Sequence, residues 1–143
     1  MLGRFGNDGG YKKGMGLYQD GRHGDALAVF ESGLVQRPLD AMLHAGRALA
    51  SQGLDREDEC LSAFQTALAL SPRDANLYVG YGGALLHFEH YEKAFAVFAE
   101  GLKLLPEDTQ ETSYRASVRA QLGRHKEVRA AFDSIRRQAT ISD

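Results

Sequence analysis

Three evenly spaced prolines divide this chain, and their spacing restricts the fold more than any other feature. The distance from Pro38 to Pro72 equals the distance from Pro72 to Pro106, and we call it the proline interval. Each proline closes a similar phrase: AVFESGLVQRP, SAFQTALALSP or AVFAEGLKLLP. A small residue precedes each phenylalanine by four positions; the pairs are Ala26–Phe30, Cys60–Phe64 and Ala94–Phe98. The chain is therefore an array of one repeated unit.

Residues 75–108 show most clearly what this unit is. Apolar and small residues recur there at helical spacing, first as Tyr78, Tyr81, Gly82 and Leu85, and after a break near 89–90 as Ala94, Phe98 and Leu102. Pro106 ends the second stretch, because proline cannot continue a helix. Gly82 and Ala94 are small where two helices must approach closely. The pattern predicts a helix–turn–helix hairpin that needs neighbouring hairpins to bury its apolar faces.

A helical hairpin with these marks and a period of about 34 residues resembles the tetratricopeptide repeat family. Three repeats match well, over 7–38, 39–74 and 75–108; a fourth, 109–142, keeps Ala116, Gly123 and Phe132 but loses the final proline. The resemblance implies an all-α fold, a right-handed superhelical stack (α-solenoid) of about eight antiparallel helices. One domain would span 1–143, with 1–6 as a flexible tail. The size and repeat count are also similar to the small tetratricopeptide chaperones of bacterial secretion systems.

Composition excludes several classes of function. The charged (25%) and apolar (43%) fractions are ordinary for a soluble protein. A net charge of −2 argues against nucleic-acid binding, because nucleic-acid-binding domains usually carry a basic surface patch. Cys60 is the single cysteine, so no internal disulfide can form, and we expect a buried, inert thiol. The opening MLGRFGNDGG has no apolar run for a signal peptide or membrane anchor, so we expect a cytoplasmic protein without membrane insertion.

The first hairpin has the weakest helix signal. We predict helices over about 10–20 and 24–36, and Gly14 and Gly16 each cost the first of them about 1 kcal/mol relative to alanine. Gly10 and Lys13 stand where the family packs large apolar residues. The large side chains instead share an i, i+4, i+7 face, formed by Tyr11, Met15 and Tyr18.

The second hairpin poses a problem of register. The proline interval places His44, Arg47 and Ser51 on the packing face, and burying such polar groups is costly. Moving the first helix two residues earlier instead places Met42, Ala45, Gly46 and Leu49 there, and lengthens the turn at 53–59. We therefore predict the shifted register.

In tetratricopeptide arrays the first helix of each hairpin lines a concave groove that holds partner peptides or helices. The resemblance implies a protein-binding groove formed by Tyr11, Met15, Tyr18, Leu43, Arg47, Val79, Leu86, His87 and Gln121, with Ala50, Gly83, Ser113 and Ser117 between them. Some of these side chains could instead pack on neighbouring helices. A floor rich in tyrosine and methionine suits an amphipathic or extended apolar segment.

The family's two-carboxylate clamp for acidic chaperone tails requires lysine, asparagine and arginine on this face. The matching positions here are Tyr11, Met15, His44, Asn76 and Gly80. Only Asn76 has a fitting side chain, and it stands where a lysine belongs. The sequence therefore disfavours that mode of binding.

The sequence contains few signatures of a catalytic or metal-binding site. His87 and His90 flank a predicted turn at i, i+3, and no further zinc ligands are evident. No glycine-rich phosphate loop followed by lysine and no nucleophile-turn signature occurs. We expect no enzyme activity, no cofactor and no metal.

The C-terminal hairpin is basic, through Arg115, Arg119, Arg124, Lys126, Arg129, Arg136 and Arg137. End repeats need a polar outer face, so one interpretation is that this hairpin is a polar cap that keeps the end of the stack soluble. The other interpretation is that it binds an acidic partner or forms an intersubunit contact.

For the whole chain we expect a non-enzymatic adaptor or chaperone-like protein that binds a protein segment. The alternatives are a self-associating scaffold, which would be a homo-oligomer, and a regulatory subunit of an enzyme on another chain.

Overall fold

The fold is known from a computed structural model that describes residues 8–105 and 113–123, and also 130, 134, 137 and 138. Its helices are α1 (Tyr11–Gln19), α2 (His23–Gln36), α3 (Ala41–Gly53), α4 (Glu57–Leu70), α5 (Ala75–His87), α6 (Tyr91–Leu102) and α7 (residues 113–123). No strand occurs in the described residues. The expected all-α fold is confirmed, and the predicted helices of the first hairpin agree with α1 and α2 to within a residue.

Successive helices pack as hairpins 1 (α1–α2), 2 (α3–α4) and 3 (α5–α6), and each hairpin stacks on the next through α2–α3 and α4–α5. The first helices also approach one another, α1 to α3 and α3 to α5. Among the described helices, no close backbone contact joins α2 to α4 or α4 to α6. The stack therefore curves with its first helices on the inner side.

Phenylalanine rings seated on glycines form the seams between helices. The ring of Phe30 lies between α1 and α3, where a Cβ on Gly14 would come within 2.5 Å of it and one on Gly46 would overlap it. A Cβ on Gly82 would overlap the Phe98 ring in the same way, as the predicted close approach of helices requires. The small residues that precede the phenylalanines, Ala26, Cys60 and Ala94, are all fully buried.

The register of hairpin 2 follows the proline interval, so the predicted shift is wrong. Helices α3 and α5 begin one interval apart and also end one interval apart. Both start with an aspartate whose side chain accepts a backbone N–H: Asp40 from Met42 and Asp74 from Asn76, each at 3.0 Å. The turns that follow also match, since Asp55 and Glu89 both have positive φ.

The polar residues of α3 lie on the packing face although only His44 makes a hydrogen bond there, while the Nε of Arg47 and the hydroxyl of Ser51 are buried without one. The His44 ring makes a 2.7 Å hydrogen bond with the Pro38 carbonyl, as the Tyr78 hydroxyl does by donating to the Pro72 carbonyl at 2.9 Å. Arg47 lies 3.7 Å from Glu31 of α2, and Ser51 is fully buried. Of the four packing residues expected in the shifted register, Ala45 and Gly46 are buried, but Met42 is 42% exposed and Leu49 only half-buried.

A carboxylate starts hairpin 1. Asp8 accepts the backbone N–H groups of Gly10 (3.0 Å) and Lys12 (3.1 Å) at the beginning of α1. Both hydrogen bonds lower the pKa of Asp8, and the bond from Lys12 has the larger effect. Gly16, in contrast, has no neighbouring atom within 4 Å of the Cβ it lacks, so packing does not require a glycine there.

Helix α7 packs on hairpin 3 through a tyrosine at a position where α5 has a glycine. Tyr114 stands one proline interval after Gly80, the glycine on which the Phe64 ring packs. Its buried hydroxyl donates to the Phe98 carbonyl at 2.9 Å, and burial raises its pKa to about 12. Val118 and Leu122 continue the packing face, whereas Arg115 and Arg119 are exposed.

Several predictions fall wholly or partly outside the described residues. These are the tail 1–6, Phe132, and four of the basic residues, Arg124, Lys126, Arg129 and Arg136. Arg137 is described and exposed, and so are Ala116 and Gly123.

Candidate functional site

The inner layer of α1, α3 and α5 forms one continuous surface, and α7 extends it. Gln121 of α7 packs over Gly83 of α5, where a Cβ would lie 3.3 Å from its side-chain amide. Val79 is half-buried on the same helix. The expected groove residues of α5 and α7 are thus brought together.

The large side chains of α1 lie half-buried on this surface. Tyr11 packs beside Phe30, with ring centroids 6.2 Å apart, and Tyr18 beside His23 at 5.2 Å. Met15 lies between them in the sequence and joins the same apolar cluster. Each of the three is therefore packed against hairpin 1 on one side and partly exposed on the other.

Leu43 and Leu86, expected on the groove floor, belong to the core instead. Leu43 is 0% exposed, like its counterpart Leu77 in α5, which is also buried. Leu86 is 1% exposed, in a cluster against which Val118 and Leu122 of α7 pack. A partner cannot reach these two leucines in this structure, so that part of the expectation is wrong.

The error at Leu43 and Arg47 follows from the wrong register of α3. Counting one proline interval back from Val79 and Gly83 leads to Ala45 and Leu49, and counting back from Leu86 leads to Gln52. Leu49 and Gln52 are half-buried and take the places on the inner surface that Leu43 and Arg47 were given. The proline interval in the sequence therefore indicates the inner surface of α3 correctly, whereas the polarity of its side chains does not.

His87 is exposed at the end of α5, where it makes a specific contact with hairpin 2. Its ring lies 2.9 Å from the Asp55 carboxylate and edge-on to Phe88. His90 and Glu57 form a second contact between the same two turns. These contacts connect adjacent hairpins, and no group of three metal-ligating side chains occurs among the described residues.

Two cavities flank α7. One, of about 450 Å³, lies between the start of α5 and α7 and is lined by Arg73, Asn76, Val79, Ser113 and Ser117, among others. The second, of about 370 Å³, lies between α6 and α7 and is lined by Phe98, Leu102, Val118, Arg115 and Arg119, among others. Arg73 escaped sequence reasoning because it precedes a helix rather than lying on a helical face.

Cys60 is fully buried in α4, as predicted. Burial, and secondly the charge of Glu57, raises the pKa of its thiol to about 12. The thiol is therefore neutral near pH 7 and is a packing group rather than a nucleophile. In the described part of the chain, no helix is both long and apolar enough to cross a bilayer.

Solved structures with a similar fold include repeat proteins of several origins. The chain is 17% identical to the Yersinia enterocolitica type III secretion translocator chaperone SycD, solved as an alternative dimer, with a TM-score of 0.71 over 83% of this chain and 90% of that one. It is 20% identical to the second TPR domain of human RPAP3, solved with the HSP70 peptide SGPTIEEVD, with a TM-score of 0.61 over 76% and 90%.

The MamA RS-1 ArsTM double mutant is 24% identical, with a TM-score of 0.60 over 66% of this chain. The chain spans only 53% of the length of that protein. None of the curated proteins matches the sequence significantly. The sequence model of the tetratricopeptide repeat matches residues 11–57 and 58–109, which is well over half of the chain. The chain therefore belongs to the tetratricopeptide repeat family.

Proposed function

We propose that this chain is a non-enzymatic, chaperone-like adaptor that holds an apolar or amphipathic segment of another protein on the inner surface of α1, α3 and α5. The observation that carries the proposal is the open side of Tyr11, Met15 and Tyr18, three large side chains that continue towards Leu49 and Val79. Rigid tyrosine beside adaptable methionine is typical of surfaces that meet apolar partners.

The side chains of the inner surface fit an apolar ligand better than an acidic one. Tyr11 and Met15 occupy two positions at which the family's carboxylate clamp has polar or basic residues. In the observed register of α3 the next clamp position, one proline interval before Gly80, is Gly46 rather than His44, and glycine has no side chain that could bind a carboxylate. The human domain that binds an acidic HSP70 peptide shares the fold but only 20% of its residues with this chain. We therefore propose that the ligand is recognised by apolar side chains at helical or alternating spacing.

Self-association through the end of the stack is the second candidate. It is favoured by the cavity between α6 and α7, which combines apolar Phe98 and Val118 with the exposed Arg119. The Yersinia chaperone of similar fold was solved as a dimer. A regulatory subunit of an enzyme and a cytoplasmic location remain proposals that rest on the sequence.

Affinity purification from the native host, followed by binding measurements, tests the proposal. Tyr18→Ala and Val79→Glu should each weaken binding of the purified partner by about 30-fold, the scale of an interface hot spot (about 2 kcal/mol). Ala69→Glu, on the exposed side of α4, is the matched control and should bind like the wild type, and all variants should keep the wild-type circular dichroism.

Binding that survives in both groove variants would refute the inner surface as the site. If Arg119→Glu alone lost binding, the site would lie at the α7 end of the stack. Recovery of an exported client favours the chaperone-like role, recovery of an enzyme favours the regulatory subunit, and recovery of this chain alone favours the scaffold.

A further inference from the structure

The two junctions between hairpins have equivalent positions, because the proline interval relates one to the other. Junction 1–2 is the packing of α2 on α3, and junction 2–3 is the packing of α4 on α5. In each junction a short turn joins the two helices at one end. At the other end, which we call the free end, the first helix begins beside the end of the second with no covalent link between them. A junction can therefore open at its free end, with the turn as the hinge.

Two histidine–carboxylate pairs close the free end of junction 2–3. They are His87 with Asp55, at 2.9 Å, and His90 with Glu57. One proline interval earlier the same four positions hold Gly53, Gly21, Arg56 and His23. Neither two glycines nor an arginine and a histidine can form such a pair. The His23 ring instead lies over Gly53, with its Nδ1 buried and without a hydrogen-bond partner.

The middle of the two junctions differs in the same direction. In junction 2–3 the Gln65 amide donates to the Tyr81 hydroxyl at 3.0 Å, and the Tyr81 ring packs beside Phe64. The equivalent pair in junction 1–2 is Glu31 and Arg47, which lie 3.7 Å apart and share no hydrogen bond. The Nε of Arg47 is buried there without a partner, and water satisfies that group once the junction opens.

The buried apolar residues of the described chain also divide at α3. One cluster consists of residues of hairpin 1 together with Leu43 and Ala50 of α3. The other cluster contains Ala45 and Ala48 of the same helix and continues through hairpins 2 and 3. Hairpin 1 therefore has a core of its own, and opening junction 1–2 leaves the larger core intact.

Hairpin 1 is held together internally by its aromatic rings. The Phe30 ring packs against Gly14 of α1, and its centroid lies 6.2 Å from that of Tyr11. Opening junction 1–2 separates Phe30 from Gly46 of α3 but leaves these two contacts in place. Helices α1 and α2 are therefore able to move together.

We propose that hairpin 1 is a movable wall of the inner surface, which swings away from α3 as one body about residues 37–40 while hairpins 2 and 3 stay joined. Tyr11, Met15 and Tyr18 move with it, away from Val79, so the motion opens and closes the groove. The effect on the groove rests on the proposed function, whereas the motion itself does not.

Native-state hydrogen exchange of the wild-type chain, with urea added in small steps, tests the motion. The slowest amides of α1 and α2 should share one level of protection, at least about tenfold below the level shared by α3, α4 and α5. A stack with equal junctions loses protection gradually towards its end. A gradual change from α1 to α5, equal protection throughout, or an α1 that opens before α2 would overturn the proposal.

A disulfide across the free end of junction 1–2 should abolish the motion. A Cβ on Gly53 would lie 2.5 Å from the Cγ of His23, and hence at most about 4 Å from the His23 Cβ, a separation that a disulfide spans. In the variant with His23→Cys and Gly53→Cys, oxidation should raise α1 and α2 to the protection of α5, and reduction should restore the gap of at least about tenfold. The reduced form is the matched control, and the native Cys60 is buried, with a pKa of about 12.

A gap that persists after the disulfide has formed would overturn the proposal. Failure of the two thiols to cross-link would also overturn it, because this hinge must bring the two positions together. The motion and the groove fail separately in these experiments. Weaker binding in Tyr18→Ala without a gap in protection would refute the motion alone, and a gap closed by oxidation with normal binding in the groove variants would refute the groove alone.

Discussion

Hairpins 2 and 3 have the same backbone register but fill it with different side chains. His44, Arg47 and Ser51 stand where Tyr78, Tyr81 and Leu85 stand one repeat later. The two sets nevertheless occupy equivalent places, from the contact with the proline carbonyl to the buried end of the helix. The comparison teaches that the polarity of the first helix does not set the register.

The register is set by features that hairpins 2 and 3 have in common. Both begin with an aspartate cap, both turn through a residue with positive φ, and both have a phenylalanine in the second helix next to a glycine of α5. The polar set is tolerated because His44 finds a carbonyl and Arg47 approaches a carboxylate. The Ser51 hydroxyl is buried without any hydrogen-bond partner, and the buried Nδ1 of His44 and Nε of Arg47 also lack one; such a group costs about 1–3 kcal/mol.

Removing a seam ring should have the largest effect. Phe64→Ala and Phe98→Ala should each lower the free energy of unfolding by about 3–5 kcal/mol, because a large buried side chain leaves a cavity between helices. A domain of this size has only about 5–15 kcal/mol in total. Urea titration measures the loss, and the two values should be similar in hairpins 2 and 3. A loss below about 1 kcal/mol at either ring would show that the seams do not hold the stack.

Two glycine-to-alanine changes should have opposite signs. Gly82→Ala should destabilise by about 1–3 kcal/mol, since its Cβ overlaps the Phe98 ring. Gly16→Ala should stabilise by about 0.5–1 kcal/mol, because nothing surrounds that Cβ and alanine favours the helix. Ala50 and Ala84 already stand at the position of Gly16 in hairpins 2 and 3. Thermal melts of the two variants check the signs. If Gly82→Ala stabilised the protein, the packing of the Phe98 ring would not require a glycine at this position.

The sequence allowed the period, the hairpins and the glycine seam at Gly82 to be predicted, because proline spacing and ring-on-glycine packing are local and repeated. It misplaced Leu43 and Arg47 because a general cost for burying polar groups was applied without knowing their partners. The carboxylate of Glu31, on another helix, approaches Arg47 only after folding. Leu86 was misassigned for a different reason, since it belongs to an apolar cluster, packed by Val118 and Leu122 of α7, that forms only in the folded chain.

Replacing the buried Ser51 tests the register of hairpin 2 directly. Ser51 is 0% exposed and its hydroxyl has no hydrogen-bond partner, whereas its counterpart Leu85 is an apolar core residue. Ser51→Ala should therefore stabilise the protein by about 1 kcal/mol, because it removes an unsatisfied buried group and favours the helix. Ser32→Ala, at an exposed position inside α2, supplies the helix contribution alone and is the matched control. Urea titration should show a larger gain at Ser51 than at Ser32. Equal gains would mean that the Ser51 hydroxyl is hydrated, as the shifted register of hairpin 2 would have it.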